Sequence, residues 1–150
     1  MGEMTLIRSL SQEDFEPLKA IDESYAKHYS VEPMLTLGSL NFYARTGHAF
    51  ASLRADHMTG FVLAQSVWNG FRPVLQMNRL AVADPGDEAS ISALLEALTK
   101  SAYDAAVYDL QLLLPKKDTA LLSLAEQKDY RDTALIVLGR TLGSRGQKEV

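Results

Sequence analysis

Few side chains in this sequence can move a proton near neutral pH. The imidazole group is the main one with an ordinary pKa there, and two of the three histidines sit where chemistry is conceivable. His48 follows Gly47 at the start of an apolar stretch, and reads either as a general base or as a turn histidine. His28 falls near the end of an expected helix, where its charged form suits the helix dipole as well as it suits catalysis. Gln76 and Asn78 alternate along VLQMNRLAV (74–82). Neither is a base, but an amide can orient a carbonyl or a water. Arg45 and Arg79 are candidate anchors for an anionic ligand, with ion pairing as the plain alternative. The histidines lack the H-x-x-x-H spacing of a metal site, and there is no cysteine to supply a thiolate ligand or nucleophile. No metal is expected.

The elements that must position these groups belong to an ordinary globular chain. Its 150 residues are 47% hydrophobic and 23% charged, enough to bury a core as one domain. A net charge of −4 disfavours nucleic acid as a partner. No apolar run approaches the roughly 18 residues that cross a bilayer, and the start, MGEMTLIRSL, has no long apolar region of the signal-peptide kind. The expectation is a cytoplasmic protein without a membrane partner: a single domain over 1–142 and a polar, frayed tail over 143–150.

Periodicity orders the elements. A first strand is expected over 4–9. Ser11 and Asp14 mark a helix start, and Phe15, Leu18, Ile21 and Tyr25 then fall at helical spacing to about His28. Pro33 interrupts it. A shorter helix holds Leu37, Leu40, Phe42 and Tyr43 and ends near Gly47. Stretches 48–54, 60–68 and 74–82 read as an antiparallel meander, with turns at 56–60 and at Asn69 and Gly70. Trp68 is expected to pack at the hairpin end or to wall a ligand pocket. Asp84 is the expected cap of the next helix, with Pro85 at its first position. Ile91, Leu94, Leu95, Leu98, Ala102 and Ala105 form its apolar face. Tyr103, Asp104 and Tyr108 read as packing and capping groups. A strand over 109–114 follows a helical crossover and should lie parallel to 74–82. A last helix around Leu121, Leu122, Leu124 and Ala125 precedes a closing strand, TALIVLGRTL (133–142).

The resulting fold class is α+β, a mixed central sheet in the order β-α-α-β-β-β-α-β-α-β with helices on both faces. That order, and the run LAVADPGDEASISALL (80–95), resemble the GCN5-related N-acetyltransferases, the GNAT family. In that family a strand ending L-A-V leads to a loop R-x-x-G-x-G and an apolar helix, and the loop binds the pyrophosphate of acetyl-CoA. Asp87 stands here in the place of the arginine, and Ser90 and Ser92 in those of the glycines. Glycines let a main chain approach phosphate closely at a helix start. A carboxylate about 4 Å from a phosphate oxygen costs on the order of 4 kcal/mol at an effective dielectric of about 20. Asp87 and Glu88 are therefore adverse in sign. The phrases ARTGHAF (44–50), LAQSVWNG (63–70), KSAYDA (100–105) and LGSRG (142–146) resemble more closely an uncharacterised, divergent bacterial GNAT-like group.

The resemblance implies a V-shaped cleft between the strands at 74–82 and 109–114. The pantetheine arm of acetyl-CoA, the implied cosubstrate, would pair there with the main chain of Leu80, Ala81 and Val82. Ser90 and Ser92 would face the phosphates, and His48, His28 or Asn78 would serve the reaction. Glu32, in the connection that lines the acceptor pocket of the family, is a further base candidate. The family's L-Y-x-x-x-G-F motif, whose tyrosine protonates the departing thiolate, has become LAEQKDY (124–130), with Ala125 in place of the tyrosine. The implied activity is N-acyl transfer from acetyl-CoA or another acyl-CoA to a small-molecule or protein amine. The alternatives are a catalytically silent ligand-binding protein that has lost the pyrophosphate loop, and an interaction module pairing as a homodimer through a sheet edge.

Overall fold

The computed structural model describes residues 4–143. The chain runs through β1 (Leu6–Ser9), a short 3-10 turn (Gln12–Asp14), α1 (Phe15–Tyr29), α2 (Leu37–Thr46), β2 (Ala49–Arg54), β3 (His57–Trp68), β4 (Pro73–Val82), α3 (Glu88–Asp104), β5 (Leu110–Leu112) and α4 (Thr119–Gln127). The five strands form one sheet in sequence order, antiparallel from β1 to β4 and parallel between β4 and β5. A helix crossover is what a parallel neighbour requires.

Each face of the sheet buries its own core. On one face α1 and α2 place Leu18, Ile21, Tyr25 and Leu40 against Phe61, Leu63 and Ala81. On the other, α3 and α4 place Ile91, Leu94, Leu98 and Leu121 against Val62, Leu75, Met77 and Leu80. Strand alternation sends neighbouring residues of β3 to opposite cores. Helix ends follow their local chemistry. The Ser11 and Asp14 box forms at the 3-10 turn, α1 stops at Ser30 in the left-handed region, and Gly47 (φ 78°) ends α2.

Several expectations are corrected. The turn before β3 is tighter than 56–60. Ala55 and Asp56 make it, both with positive φ, and β3 resumes at His57. The cap of α3 is Asp87, whose carboxylate accepts from Ser90 N, while Asp84 accepts from Gly86 N within the preceding turn. Trp68 does not pack at the hairpin end but stands 66% exposed, and Tyr103 and Tyr108 are also exposed, touching one another. The largest correction is the closing strand. Residues 133–142 form no strand, and every residue over 131–143 is exposed. A strand needs a neighbour for its backbone groups, and among the described residues no strand of the sheet pairs with this stretch. Residues 144–150 of the expected tail lie outside the described residues.

Candidate active site between β4 and β5

A single extra residue shapes the sheet where β4 meets β5. In the β3–β4 ladder Ala64 faces Met77 and Leu63 faces Arg79, so Asn78 is left over as a bulge. Bulges bend a strand and sharpen its twist. The parallel pairing with β5 covers only Leu75, Gln76 and Met77, and its last bond runs from Leu113 N to Met77 O at 3.0 Å. Beyond the bulge, β4 continues to Val82 while β5 has turned away. The sheet is split there.

The split leaves main-chain groups on one side of β4 without a partner strand, although Leu80 and Val82 are buried. Ala83 N donates to Thr59 O, and a Cβ on Gly60 would meet Ala81 O at 2.6 Å, so Ala81 and Ala83 point toward β3. By alternation the N–H and C=O groups of Leu80 and Val82 face the open side. Their side chains are buried against α3 and form the floor of the gap. Of the three expected pairing residues, two present their backbone to the cleft and Ala81 is turned to the neighbouring strand.

A polar chain lines the α1 and α2 side of the same point. Gln76 Nε2 donates to Asn78 Oδ1 at 3.0 Å, and Asn78 Nδ2 donates to Tyr43 Oη at 2.8 Å. Tyr43 keeps its own hydroxyl proton to donate. Deeper in, Asp22 is fully buried and accepts from Arg79 Nη1 at 2.9 Å and from the main-chain N–H groups of Met34 and Leu35. Arg79 also donates to Glu32 O, and its guanidinium lies over the Tyr25 ring. Arg79 is thus consumed in fastening the connection after α1 to β4, and Glu32 contributes its carbonyl. Tyr25 Oη donates to Asp118, which also accepts from Leu121 N at the start of α4. Beside Arg79, this bond joins a helix of one face to the start of a helix of the other. Burial, then the bond to Asp118, pushes the Tyr25 phenol far above the ordinary tyrosine range. It stays protonated.

The mouth of α3 is occupied by the chain itself. Asp87 Oδ1 accepts from Ser90 N at 3.2 Å and Oδ2 from Ser90 Oγ at 2.7 Å, while Arg54 grips both oxygens at 3.0 and 3.2 Å. Ser90 is fully buried and continues through Thr59 to Ser52, an unbroken row of hydroxyls under the helix end. Glu88 N and Ile91 N also donate within the chain. Burial raises the Asp87 carboxyl, but Arg54 and Ser90 outweigh it and hold it below the usual range. A carboxylate with its own guanidinium takes the place where this kind of helix end would attract an anion. Ser92, one turn on, is half-buried.

His48 lies elsewhere. It is buried against α3, its Nδ1 2.5 Å from Ser101 Oγ, and Ser101 donates to Gly47 O at 3.1 Å. With the serine proton spent there, Nδ1–H is the donor and Nε2 carries the lone pair. Burial lowers the pKa of the ring. A shallow depression of about 970 Å³ adjoins it, lined by Arg8, Phe50, Glu96 and Lys100 among others. His28 stands edge-on to Tyr29 in the last turn of α1. Of the three candidate reaction groups, only Asn78 sits at the split. Arg45 lines a separate surface hollow with Asn41 and Phe42. Tyr43, Asp22 and Asp118 were not singled out from the sequence. Tyr43 occupies an apolar position of its helix, and nothing in the local pattern shows its hydroxyl meeting Asn78.

The family described as "Protein of unknown function (DUF1999)" matches residues 5–149. The chain belongs to this family. No curated protein matches it. Among solved structures, wild-type TTHA1254 from Thermus thermophilus is 31% identical, with a TM-score of 0.78 over 93% of this chain and 99% of that one. A ribosomal-protein-alanine N-acetyltransferase from Brucella melitensis biovar Abortus 2308 is similar at TM-score 0.73 and 16% identity, covering 93% of this chain and 99% of that one. A predicted acetyltransferase with acetyl-CoA from Clostridium acetobutylicum is similar at TM-score 0.69 and 11% identity, over 91% and 96% of the two chains. The family member therefore has the α+β fold of the GNAT acetyltransferases. No helix among the described residues is long and apolar enough to cross a membrane.

Proposed function

We propose that the protein is a divergent GNAT-fold N-acyltransferase that takes acetyl-CoA, or another acyl-CoA, by its pantetheine arm alone. The observation that carries this reading is the edge of β4 at Leu80 and Val82 that no strand pairs with, left by the bulge at Asn78 and the end of the β5 pairing at Met77. An extended amide-bearing arm can pair with such an edge whatever the side chains are. The acyl carbonyl would lie near Asn78. A neutral amine attacks its carbon, the oxyanion is held by a main-chain N–H of β4, and the carbon–sulfur bond breaks. The ammonium proton lost by the amine reaches the departing sulfur through water, since Ala125 offers no phenol. Gln76, Asn78 and Tyr43 orient the acceptor, and Ser90 and Ser92 leave the phosphates in solvent.

Calorimetric titration with acetyl-CoA and with acetyl-pantetheine, which lacks the nucleotide and its diphosphate, tests this. The expected dissociation constants lie within about threefold of each other, and saturation at one hundred times Kd should stabilise the fold by about 2.7 kcal/mol. Tighter binding of acetyl-CoA by more than tenfold would show that the diphosphate has a grip after all. No heat from either compound leaves the second reading, a catalytically silent ligand-binding or interaction protein, which the closure of the α3 mouth by Asp87 and Arg54 favours.

A further inference from the structure

Along one flank of α3 the side chains are cut short. Ala93, Ala97 and Ser101 follow one another at four-residue intervals, beside the large core residues Leu94 and Leu98. Residues four apart share a helix face, so this flank offers little bulk to the strands next to it. Opposite stand Ile7 of β1 and Phe50 of β2, both packed on the α3 side of the sheet and both half-buried. The space left between them is the depression of about 970 Å³ beside His48. His48 is only 8% exposed, and its ring is half satisfied. Nδ1–H donates to Ser101 Oγ, whose own proton goes to Gly47 O, while Nε2 has no partner among the described residues. No fully buried side-chain nitrogen or oxygen among those residues lacks a partner, so Nε2 reaches the surface, and His48 meets it at the depression. The charges on the rim are spent on one another or on neighbours: Arg8 with Asp14 at 2.8 Å, Lys100 with Asp104 at 2.7 Å, and Glu96 with Lys128 at 3.0 Å.

We propose that this depression is a binding site for a small neutral phenol, whose ring lies on the Ala93 and Ala97 flank against Phe50 and whose hydroxyl donates to His48 Nε2. The lone pair calls for a donor, because a largely buried acceptor left unmet costs free energy. Burial lowers the pKa of the imidazole, so the accepting form is the one present at neutral pH. The paired rim leaves no charge for a ligand to match, which selects a neutral one. A flat floor of methyl groups bounded by an aromatic ring suits a planar apolar body, and one placed polar group in an apolar lining is the usual make-up of a small-molecule site. A phenol combines that planar body with a hydroxyl more acidic than an alcohol's. The site belongs to β1, β2 and α3 and makes no use of the β4 edge, so it stands or falls independently of acyl transfer.

Two isomers make the test on the full native chain: p-cresol, which has an O–H, and anisole, which has the same atoms and none. In a proton–nitrogen correlation NMR titration, p-cresol should give saturable shifts at the amides of Gly47, His48, Phe50, Ala97 and Ser101, with a dissociation constant of about 1 mM, within reach of so small a ligand. Anisole should bind at least about tenfold more weakly, since it leaves Nε2 unmet. Ala97→Leu fills the depression and should abolish the p-cresol shifts with far-UV circular dichroism unchanged, and His48→Phe should reduce p-cresol to the affinity of anisole. Shifts that fail to saturate by about 10 mM p-cresol overturn the proposal. So do equal affinities for the two isomers, which would leave His48 without a part in recognition, saturable shifts confined to β4 and β5, or undiminished binding by a folded Ala97→Leu variant. The isomer comparison needs no substitution, so the outcome is decided even if a variant fails to fold.

Discussion

At the scale of single residues, the buried pair of Asp22 and Arg79 governs how the α1 side meets β4. Asp22 accepts two main-chain N–H groups besides the guanidinium, so its charge is satisfied from three directions. Asp22→Asn leaves a buried cation without a counter-charge and should cost about 3–5 kcal/mol in urea unfolding. Adding Arg79→Met should return part of that loss, because no stranded charge remains. The pH dependence of stability has two limbs. Arg8, and then Ser11, hold the Asp14 carboxyl low, and Arg54 does the same for Asp87 against the pull of burial. Folded values below the unfolded value of about 3.9 mean stability that is full above it and lost as pH falls through the folded values. Burial also depresses His48, so the unfolded chain takes up its proton first, and stability declines as pH drops below about 6.5. Urea midpoints at pH 7, 5 and 3 should fall in both steps, and His48→Gln should flatten the first while leaving the second.

At the scale of elements, the bulge at Asn78 and the close approach at Gly60 make β4 what it is. A Cβ at position 60 would stand 2.6 Å from Ala81 O and 2.9 Å from Val82 Cγ1. Gly60→Ala must therefore push β3 and β4 apart, and a loss of about 1–3 kcal/mol in chemical denaturation is the expected result. Most elements were legible from the sequence because their signals are local. Helical spacing fixed α1 and α3, Asn69 and Gly70 marked the β3–β4 hairpin, and a helical crossover implied the parallel β5. The failures share one cause, which is that the deciding partner lies far along the chain. Residues 133–142 have the composition of a strand, but a strand exists only with a neighbour. The bulge residue carries no signature either, since an extra position in a ladder is defined by the facing strand. Asp84 lost the cap of α3 to Asp87 because Arg54, more than thirty residues upstream, fixes the latter's carboxylate.

At the scale of the whole molecule, one sheet separates two cores, and a bond from Tyr25 to Asp118 ties a helix of one to the start of a helix of the other. The candidate site was only partly readable for the same reason. Leu80, Ala81 and Val82 are candidates through the L-A-V resemblance alone, whereas Tyr43 and Asp118 enter through contacts between layers that no sequence window contains. The closed mouth of α3 carries the broadest consequence. Nucleotides and polyphosphates crowd most aqueous biological media, and an uncapped helix tip is a lure for all of them. By lodging its own acid there and pinning it with Arg54, this molecule withdraws that one helix tip from the crowd and spends the charge of the two groups on each other.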